Sequence, residues 1–419
     1  MNWAYVFCGL SATAASLAAD PPHWILAQAY KIPSQYTNQE SGYFSIVDGH
    51  NGRLYIGAAK YGVNAYLIEF DPKTAAMRMV VDVQKTIGSS SAGFAAQAKI
   101  HTRNNVGASG KIYFGSKQGY PEKGEKRSDY PGGYVFTYDP ETGKTEQFGI
   151  AWPHQGIISV TPDESRGVAY LSTCSDERPF DETHFMILDL ARKTYRDLGD
   201  MEHAYAFIVL DDKGRAYHPL RGGHIARFDP AADRLELLLV KVDGGKKPAE
   251  IAKDDAILNW EVSPDRKTLY AIEMTTNQLF AFDLTATGTT LPGKRLGALL
   301  SGPAKTDCRA MCVGADGTVW AAVSHTNAPD GQTLHLVSYR PGWPAPRDHG
   351  PVGIANPDYT RFTDEHGKPL PWHHTVRKAK DGTLTPWVPM GICAARDGSV
   401  YITTIAPFTL LQFAPAKLR

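Results

Sequence analysis

The sequence has 419 residues, of which 42% are hydrophobic, 21% charged and 11% aromatic. This is the composition of a globular protein, and the length allows one large domain or several small ones. The 44 basic residues balance 44 acidic residues, so the formal net charge is zero. Because Lys and Arg contacts with phosphates supply most of the affinity for nucleic acids, this balance argues against a nucleic-acid-binding protein.

The first twenty residues, MNWAYVFCGLSATAASLAAD, contain a short apolar stretch followed by small residues. This pattern predicts a signal peptide over residues 1–19 and therefore a secreted or periplasmic protein. Beyond it, no apolar run reaches the roughly 18 residues that a membrane span requires. The remaining cysteines are too few to form a disulfide scaffold; they are Cys174, Cys308, Cys312 and Cys393.

Residues 20–419 carry a repeat of short strand-like runs. Each unit has a Gly-containing turn, a short apolar run with an aromatic anchor, and a second apolar run that usually ends in an aromatic residue and Asp. The seven anchors are Tyr55, Tyr113, Tyr170, Tyr217, Tyr270, Trp320 and Tyr401. Repeats of about 50 residues with four short strands each are typical of propeller blades. The sequence therefore predicts an all-β protein that folds, as a monomer, into a seven-bladed β-propeller.

The last unit has only three strand-like runs before the end of the sequence. We expect the segment HWILAQAYKI, near residues 24–33, to supply the missing outer strand and so close the ring. Between the sixth and seventh units lies an insertion at 356–388, which is too long for a simple turn. It is either a functional lid or a decoration of the rim.

The start of each inner strand lies near the mouth of the central channel in a propeller. Three residues lie twelve positions before their anchors: His101, Tyr205 and Cys308. Their equivalent positions predict that they converge at one mouth, and His154 in the loop WPHQG approaches the same face from the third blade. We therefore expect His101, His154 and Tyr205 to contribute to a site there.

The turns between second and third strands reach the same face. Together they contribute side chains rich in positive charge and aromatic rings, namely Lys117, Gln118, Tyr120, Arg178, Arg221, His224 and His325. Such a rim suits an anionic ligand even though the whole protein is neutral. For each of these residues taken alone, a structural or solvated role is the alternative.

Cys312 and Cys393 lie eight residues before their anchors, at the same depth on adjacent inner strands. With Cys308 they could hold a structural zinc ion, the fourth ligand being His325, His373 or His374, because zinc favours Cys and His in tetrahedral geometry. A disulfide or buried free thiols are the alternatives.

Two local stretches resemble a known family. KIHTRNN contains His101, and HAYAFIVLDDKGRAYHPLRGGH contains Tyr205 and Arg221. Together with the cysteine pair deep in the channel, these resemble the propeller-fold polysaccharide lyases, above all the ulvan lyases and more distantly the oligogalacturonate lyases. The likeness at motif level covers about 98–225. Such lyases use a second His near the first, whereas this sequence has Lys117 and Tyr120 in that turn; His154 would substitute, and the substrate stays open.

The resemblance implies a secreted lyase that cleaves a uronate-containing polysaccharide or oligosaccharide by β-elimination. Arg221 would neutralise the carboxylate, while Tyr205, His101 and His154 would act as acid and base. Lys117, Tyr120, Arg178 and His224 would bind substrate. This chemistry needs no redox cofactor and no catalytic metal.

Two other classes of function remain open. A lactonase-like hydrolase would need a calcium site, for which Asn259, Glu261 and Glu273 in the fifth unit offer only fragments. A non-catalytic propeller would use the same face to bind glycans or proteins.

Overall fold

The computed structural model describes residues 23–38, 41–175, 183–202, 207–220, 224–245, 257–273, 276–356, 359, 363, 366–369 and 375–414. The predicted signal peptide lies outside these residues. No helix in the described part of the chain is long and apolar enough to cross a membrane.

The first half of the chain consists of short strands joined by turns. In chain order these strands are β1 (Ile25–Lys31), β2 (Ser41–Asp48), β3 (Leu54–Lys60), β4 (Asn64–Asp71), β5 (Ala76–Asp82), β6 (Asn105–Val106), β7 (Ile112–Gly115), β8 (Tyr134–Tyr138), β9 (Thr145–Ile150), β10 (Gly156–Asp163), β11 (Val168–Cys174), β12 (His184–Asp189), β13 (Thr194–Asp200), β14 (Val209–Leu210), β15 (Ala216–Pro219), β16 (His224–Asp229) and β17 (Arg234–Val242).

The second half continues the same pattern. Its strands are β18 (Ile257–Val262), β19 (Thr268–Glu273), β20 (Gln278–Asp283), β21 (Thr290–Ala298), β22 (Thr306–Val313), β23 (Val319–His325), β24 (Thr333–Tyr339), β25 (Arg347–Ile354), β26 (Val376–Lys378), β27 (Leu384–Pro386), β28 (Pro389–Ala394), β29 (Val400–Thr404) and β30 (Thr409–Phe413). The described helices are short: α1 (Val83–Ile87) and 3-10 turns at Ser34–Tyr36, Gly93–Ala95, Arg127–Asp129 and Glu164–Arg166.

Within the described residues, consecutive strands form antiparallel units of four. Three sheets contain one unit each: β2 to β5, β6 to β9 and β10 to β13. Two eight-stranded sheets contain two units each, because the outer strands β17 and β21, and likewise β25 and β1, pair in parallel. A separate two-stranded hairpin is formed by β26 and β27. The all-β class expected from the sequence is confirmed.

The aromatic anchors share one structural position. All seven lie on the second strand of a unit and all are buried, from Tyr55 at 0% exposure to Trp320 at 8%. Several anchor hydroxyls donate to a nearby carboxylate, as Tyr55 does to Glu69 over 3.0 Å and Tyr217 does to Asp211 over 2.9 Å. The repeat in the sequence thus marks a large aromatic ring packed between sheets.

The aspartate that closes many third strands also has a constant role. The Asp71 Oδ1 atom accepts a hydrogen bond from the Lys73 amide over 2.9 Å, and the Asp229 Oδ1 atom accepts one from Ala231 over 2.9 Å. Asp139, Asp189 and Asp283 make the same contact in their units. These are Asx turns, which reverse the chain between the third and fourth strands.

The N-terminal strand joins the last unit as expected. Strand β1 pairs antiparallel with β30, with Gln28 opposite Gln412 and Lys31 opposite Thr409. It also pairs in parallel with β25 of the preceding unit, with Ile25 opposite Val352. The segment therefore completes a four-stranded unit and bridges it to its neighbour.

The insertion at 356–388 contributes the β26–β27 hairpin, and its other described residues include Tyr359. The Tyr359 hydroxyl lies 2.7 Å from the Thr409 Oγ1 atom, and the Arg377 Nε atom donates to the Gln332 carbonyl over 2.5 Å. The Thr375 hydroxyl donates to the Ala406 carbonyl over 2.6 Å. These contacts hold the hairpin against the β23–β24 and β29–β30 turns, on the face where inner strands begin.

Candidate functional site

Two lysines lie together at the start of the second unit. Lys99 and Lys117 are both fully buried and are directly opposite each other in an antiparallel bridge. The Lys99 amide donates to the Lys117 carbonyl over 3.0 Å, and the Lys117 amide donates back over 2.8 Å. Like charges opposite each other repel, so this pair creates a position that favours a negatively charged group.

Aromatic rings and a thiol surround these ammonium groups. The Lys99 Nζ atom lies 4.5 Å from the centroid of the Tyr120 ring and 5.3 Å from that of the Tyr61 ring. The Lys117 Nζ atom donates to the Cys174 Sγ atom over 3.3 Å. Tyr120 is 56% exposed, so the lysine cluster lies under a surface residue rather than in the middle of the protein.

His101 lies deeper, toward the centre of the ring of sheets. It is 1% exposed, and its ring stacks on that of Phe44 with centroids 5.7 Å apart and an interplanar angle of 9°. Phe44 in turn packs edge-to-face against Phe207, at 4.8 Å. Residues of three units therefore meet here, and the catalytic role of His101 remains a prediction.

The structure locates three other predicted residues at the rim. His154 is exposed with a φ of 60°, and its Nδ1 atom lies 2.6 Å from the Tyr130 carbonyl oxygen. His224 begins β16, and its carbonyl accepts the Leu220 amide over 2.8 Å. His325 ends β23 with its ring 5.5 Å from that of His335, and burial lowers the pKa of His325.

Several predicted residues lie outside the described part of the chain. These are Tyr205, Arg221, Arg178, His373 and His374. The roles of the five residues remain predictions.

The cysteines differ from their expected arrangement. Cys308 packs among Tyr270, Ile272 and Leu279, whereas Cys312 packs with Trp320 and neighbouring residues on the other side of the same strand. The register of β22 shifts between Asp307 and Ala310. Such a bulge redirects the side chains that follow it, so counting along the strand failed to predict the orientation of Cys308.

Cys312 and Cys393 line the same cavity. No disulfide joins any of the four described cysteines. Burial raises the pKa of the Cys312 thiol to about 12 and that of Cys393 well above its ordinary value, so both are neutral at physiological pH. Across the described ranges, no group of three or more His, Cys, Asp or Glu side chains is arranged to hold a metal. The zinc site remains a prediction, and Cys308 is not brought to the other two thiols.

A layer of side chains divides the channel. Arg103, which sequence reasoning missed, extends from the second unit across the axis, donates to the Trp260 carbonyl over 2.5 Å and forms an ion pair with Glu261. Its guanidinium also lies 5.7 Å from the Phe207 ring centroid. Burial lowers the pKa of Arg103 to about 10, so it stays charged at neutral pH.

The three residues considered for a calcium site make other contacts. Glu261 pairs with Arg103, the Asn259 amide donates to the Arg309 carbonyl, and Glu273 accepts from the Thr276 hydroxyl. These contacts leave no ring of oxygen ligands among the described side chains, so the structure gives no support to the lactonase alternative.

Below this layer, at the carboxyl ends of the inner strands, lies a cavity of about 390 Å³. Phe44 and Arg103 form part of its wall, together with Cys312 and Cys393. Phe44 also stacks on His101, whereas Lys99 and Lys117 are not part of the cavity wall. The molecule therefore has two distinct polar regions on one axis.

Lys99 was also absent from the sequence prediction. It lies two residues before His101 in QAKIH, and a lysine in an apolar stretch is the only local signal. Lys99 is buried where it pairs with Lys117, and the sequence of either segment alone does not predict that pairing.

Comparison with known proteins shows what this architecture resembles. No family model matches the chain, and no curated protein matches its sequence. Among solved structures, a streptogramin B lyase superposes with a TM-score of 0.53 and 13% identity, covering 93% of this chain and 98% of that one. The β-propeller domain of Cps50 (Swd1) from Myceliophteria thermophila gives a TM-score of 0.55 and 12% identity, covering 93% and 99%.

The extracellular domain of a hybrid two-component system from B. thetaiotaomicron gives a TM-score of 0.53 and 10% identity, covering 92% of this chain and 39% of that longer one. At such low identities a likeness carries no information on activity. What it does establish, together with the four-stranded units, is that this chain has a β-propeller fold.

Proposed function

We propose that this protein is a secreted, monomeric seven-bladed β-propeller lyase that cleaves a uronate-containing glycan by β-elimination. Its seven anchor-bearing units would be the blades, and the glycan would bind at the face where the inner strands begin. The observation that carries the proposal is the opposed pair Lys99 and Lys117 beside His101.

The substrate carboxylate is the first requirement of this reaction. A uronate must have its negative charge offset before its C5 proton becomes acidic enough to remove. Lys99 and Lys117, buried beneath the mouth, would provide positive charge, and Arg221 would add a bidentate guanidinium partner. The exposed ring of Tyr120 offers an apolar surface on which a sugar ring could stack.

The proton transfers follow from the remaining side chains. A base, His101 or Tyr205, takes the C5 proton; the C5–H electrons form the double bond between C4 and C5. The C4–O bond breaks, and the glycosidic oxygen receives a proton from the acid, for which Tyr205 and His154 are the candidates. Positive charge from Lys99, Lys117 and Arg221 would lower the pKa of the Tyr205 phenol, which would suit that side chain to proton transfer.

The test is ultraviolet absorbance of unsaturated uronate product, using a panel of uronate polymers including ulvan and oligogalacturonate. Tyr205→Phe should lower turnover by about 10²–10⁴-fold, the usual contribution of a general acid or base. Arg221→Lys should also reduce the rate, since an ammonium cannot replace a bidentate contact. Thr142→Ala, on a distant β8–β9 turn, is the matched control and should retain the wild-type rate.

Two results would overturn the proposal. Binding of a uronate polymer without unsaturated product would identify a non-catalytic glycan-binding propeller. Wild-type rates in Tyr205→Phe, on a confirmed substrate, would remove the assigned chemistry.

A further inference from the structure

The cavity at the opposite mouth has the composition of a second binding site. Its volume of about 390 Å³ falls within the range of small-molecule pockets, about 300–1,000 Å³. Phe44, Met311, Met390 and Ile392 give it an apolar wall, while asparagine and arginine side chains supply polar groups. Apolar walls with a few polar groups are the usual design of such a pocket.

One wall residue has a hydrogen-bond donor that is not used. Asn104 is 3% exposed, and its Nδ2 atom has no hydrogen-bond partner among the described residues. The Asn104 Oδ1 atom lies 3.1 Å from the Thr102 hydroxyl, which donates to it. A buried amide N–H without an acceptor is unfavourable, so a ligand that offers an oxygen atom here would relieve that cost.

The charges around the cavity favour an anion. Three guanidinium groups line it, those of Arg103, Arg266 and Arg396, against two carboxylates, those of Asp48 and Glu261. Arg103 is paired with Glu261, and the Arg396 amide and guanidinium both approach Asp48, at 2.9 Å and 3.9 Å. Arg266 makes no ion pair with any described residue and remains exposed at the mouth. One positive charge is therefore in excess.

The two thiols add no charge to this balance. Burial keeps Cys312 and Cys393 protonated, so they contribute soft apolar surface rather than thiolates. Asn104 therefore offers an unused donor and Arg266 an unpaired positive charge, and a single carboxylate would match both.

From these observations we propose that the cavity binds a small molecule with one carboxylate and a compact apolar body. The carboxylate would lie toward Asn104 and Arg266, and the apolar body would contact Phe44, Met311 and Met390. This site is separate from the glycan-binding face and does not depend on the proposed lyase activity.

Naphthoate is a suitable probe, and naphthamide is its uncharged counterpart. Binding is followed by NMR of protein labelled with ¹³C at the methionine methyl groups. Naphthoate should shift the signals of Met311 and Met390, which line the cavity, and leave that of Met79, on an outer strand, unchanged. Naphthamide should bind about tenfold more weakly, because it lacks the charge-assisted hydrogen bonds of a carboxylate.

Two variants locate the carboxylate. Asn104→Asp keeps the shape, replaces the unused donor by a like charge and should abolish detectable binding. Arg266→Asn should weaken naphthoate binding by about fivefold, with a smaller effect at high salt. Asn suits this position because Arg266 has a φ of 57°, and the exposed side chain makes the variant a mild change to the fold.

Tyr120→Ala, at the opposite mouth, is the control and should leave naphthoate binding unchanged. The proposal fails if Met311 and Met390 do not respond to naphthoate, or if naphthamide binds equally well. It also fails if Arg266→Asn binds naphthoate as the unmodified protein does, an outcome that can be read even if Asn104→Asp does not fold.

Discussion

Replacing the fully buried Asp211 by asparagine should be among the most destabilising single changes in the chain. The carboxylate accepts hydrogen bonds from the Arg215 Nε atom at 2.5 Å, the Tyr217 hydroxyl at 2.9 Å, and the amides of Lys213 and Arg215 at 3.0 and 2.9 Å. Arg215 is itself only 11% exposed in its side chain and donates onward to the Leu284 carbonyl of the next unit.

The size of the effect follows from this geometry. Asparagine keeps the volume of the side chain, so no cavity forms, but it leaves the Arg215 guanidinium buried without its counter-charge. Its NH₂ group also faces a donor. Breaking a buried ion pair by removing one partner costs about 3–5 kcal/mol of unfolding free energy. This is a large fraction of the roughly 5–15 kcal/mol that a typical domain has.

Urea denaturation followed by tryptophan fluorescence and by circular dichroism would measure the loss. Asp233→Asn is the matched control, because Asp233 pairs with Arg196 at the surface, where both side chains are more than half exposed. It should give no measurable change. Tyr217→Phe should cost about 1 kcal/mol, the value of one hydrogen bond. If Asp211→Asn shifts the urea midpoint no more than Asp233→Asn does, the buried network is not what holds these two units together.

Three further predictions concern pH, thiol reactivity and the insertion. Burial alone would raise the pKa of Glu69, but hydrogen bonds from Arg78 and Tyr55 and the charge of Arg53 lower it overall. The lowered pKa means that ionised Glu69 stabilises the folded protein above the ordinary pKa of 4.5. This stabilisation is lost as the pH falls through the folded-state pKa. The stability gap between the natural protein and Glu69→Gln should therefore narrow in acid denaturation series from about pH 6 to about pH 3, and a constant gap would contradict this. Burial raises the pKa of the Cys308, Cys312 and Cys393 thiols, so iodoacetamide should label them slowly in the native protein and rapidly in urea. Mass spectrometry would measure the labelling rates. Equal rates in the two conditions would show that these thiols are not buried. Tyr359→Phe removes a buried hydroxyl that contacts Thr409 and should lower the urea unfolding free energy by about 1 kcal/mol, whereas no change would mean that the insertion is not coupled to the sheet.

The strands could be predicted because their signal is local. An aromatic anchor such as Tyr55 or Tyr217 sits in an apolar run, and an Asp such as Asp71 closes the next run; both report the alternation and turn chemistry of a few adjacent residues. The pairing of β1 with β30 followed from counting strands, since the last unit lacked one.

The side-chain arrangement of the channel was harder to predict from the sequence. A bulge in β22 directs Cys308 toward Tyr270, and no local sequence pattern around Cys308 predicts that bulge. Lys99 becomes notable only when it is opposite Lys117, and Arg103 only when it meets Glu261 across the axis. Such contacts depend on tertiary geometry, which a repeat pattern fixes only to the level of the strand.

The double pairing of β1 has a consequence for how the protein is made. Gln28 and its antiparallel partner Gln412 are separated by 384 residues of chain. At about 5–20 residues per second, β1 waits on the order of a minute for that partner. Until β25 and β30 have been made, β1 is an open strand, and such strands are templates for pairing with other chains. Cotranslational folding can therefore complete the middle units early, but the ring closes only once β30 has been made.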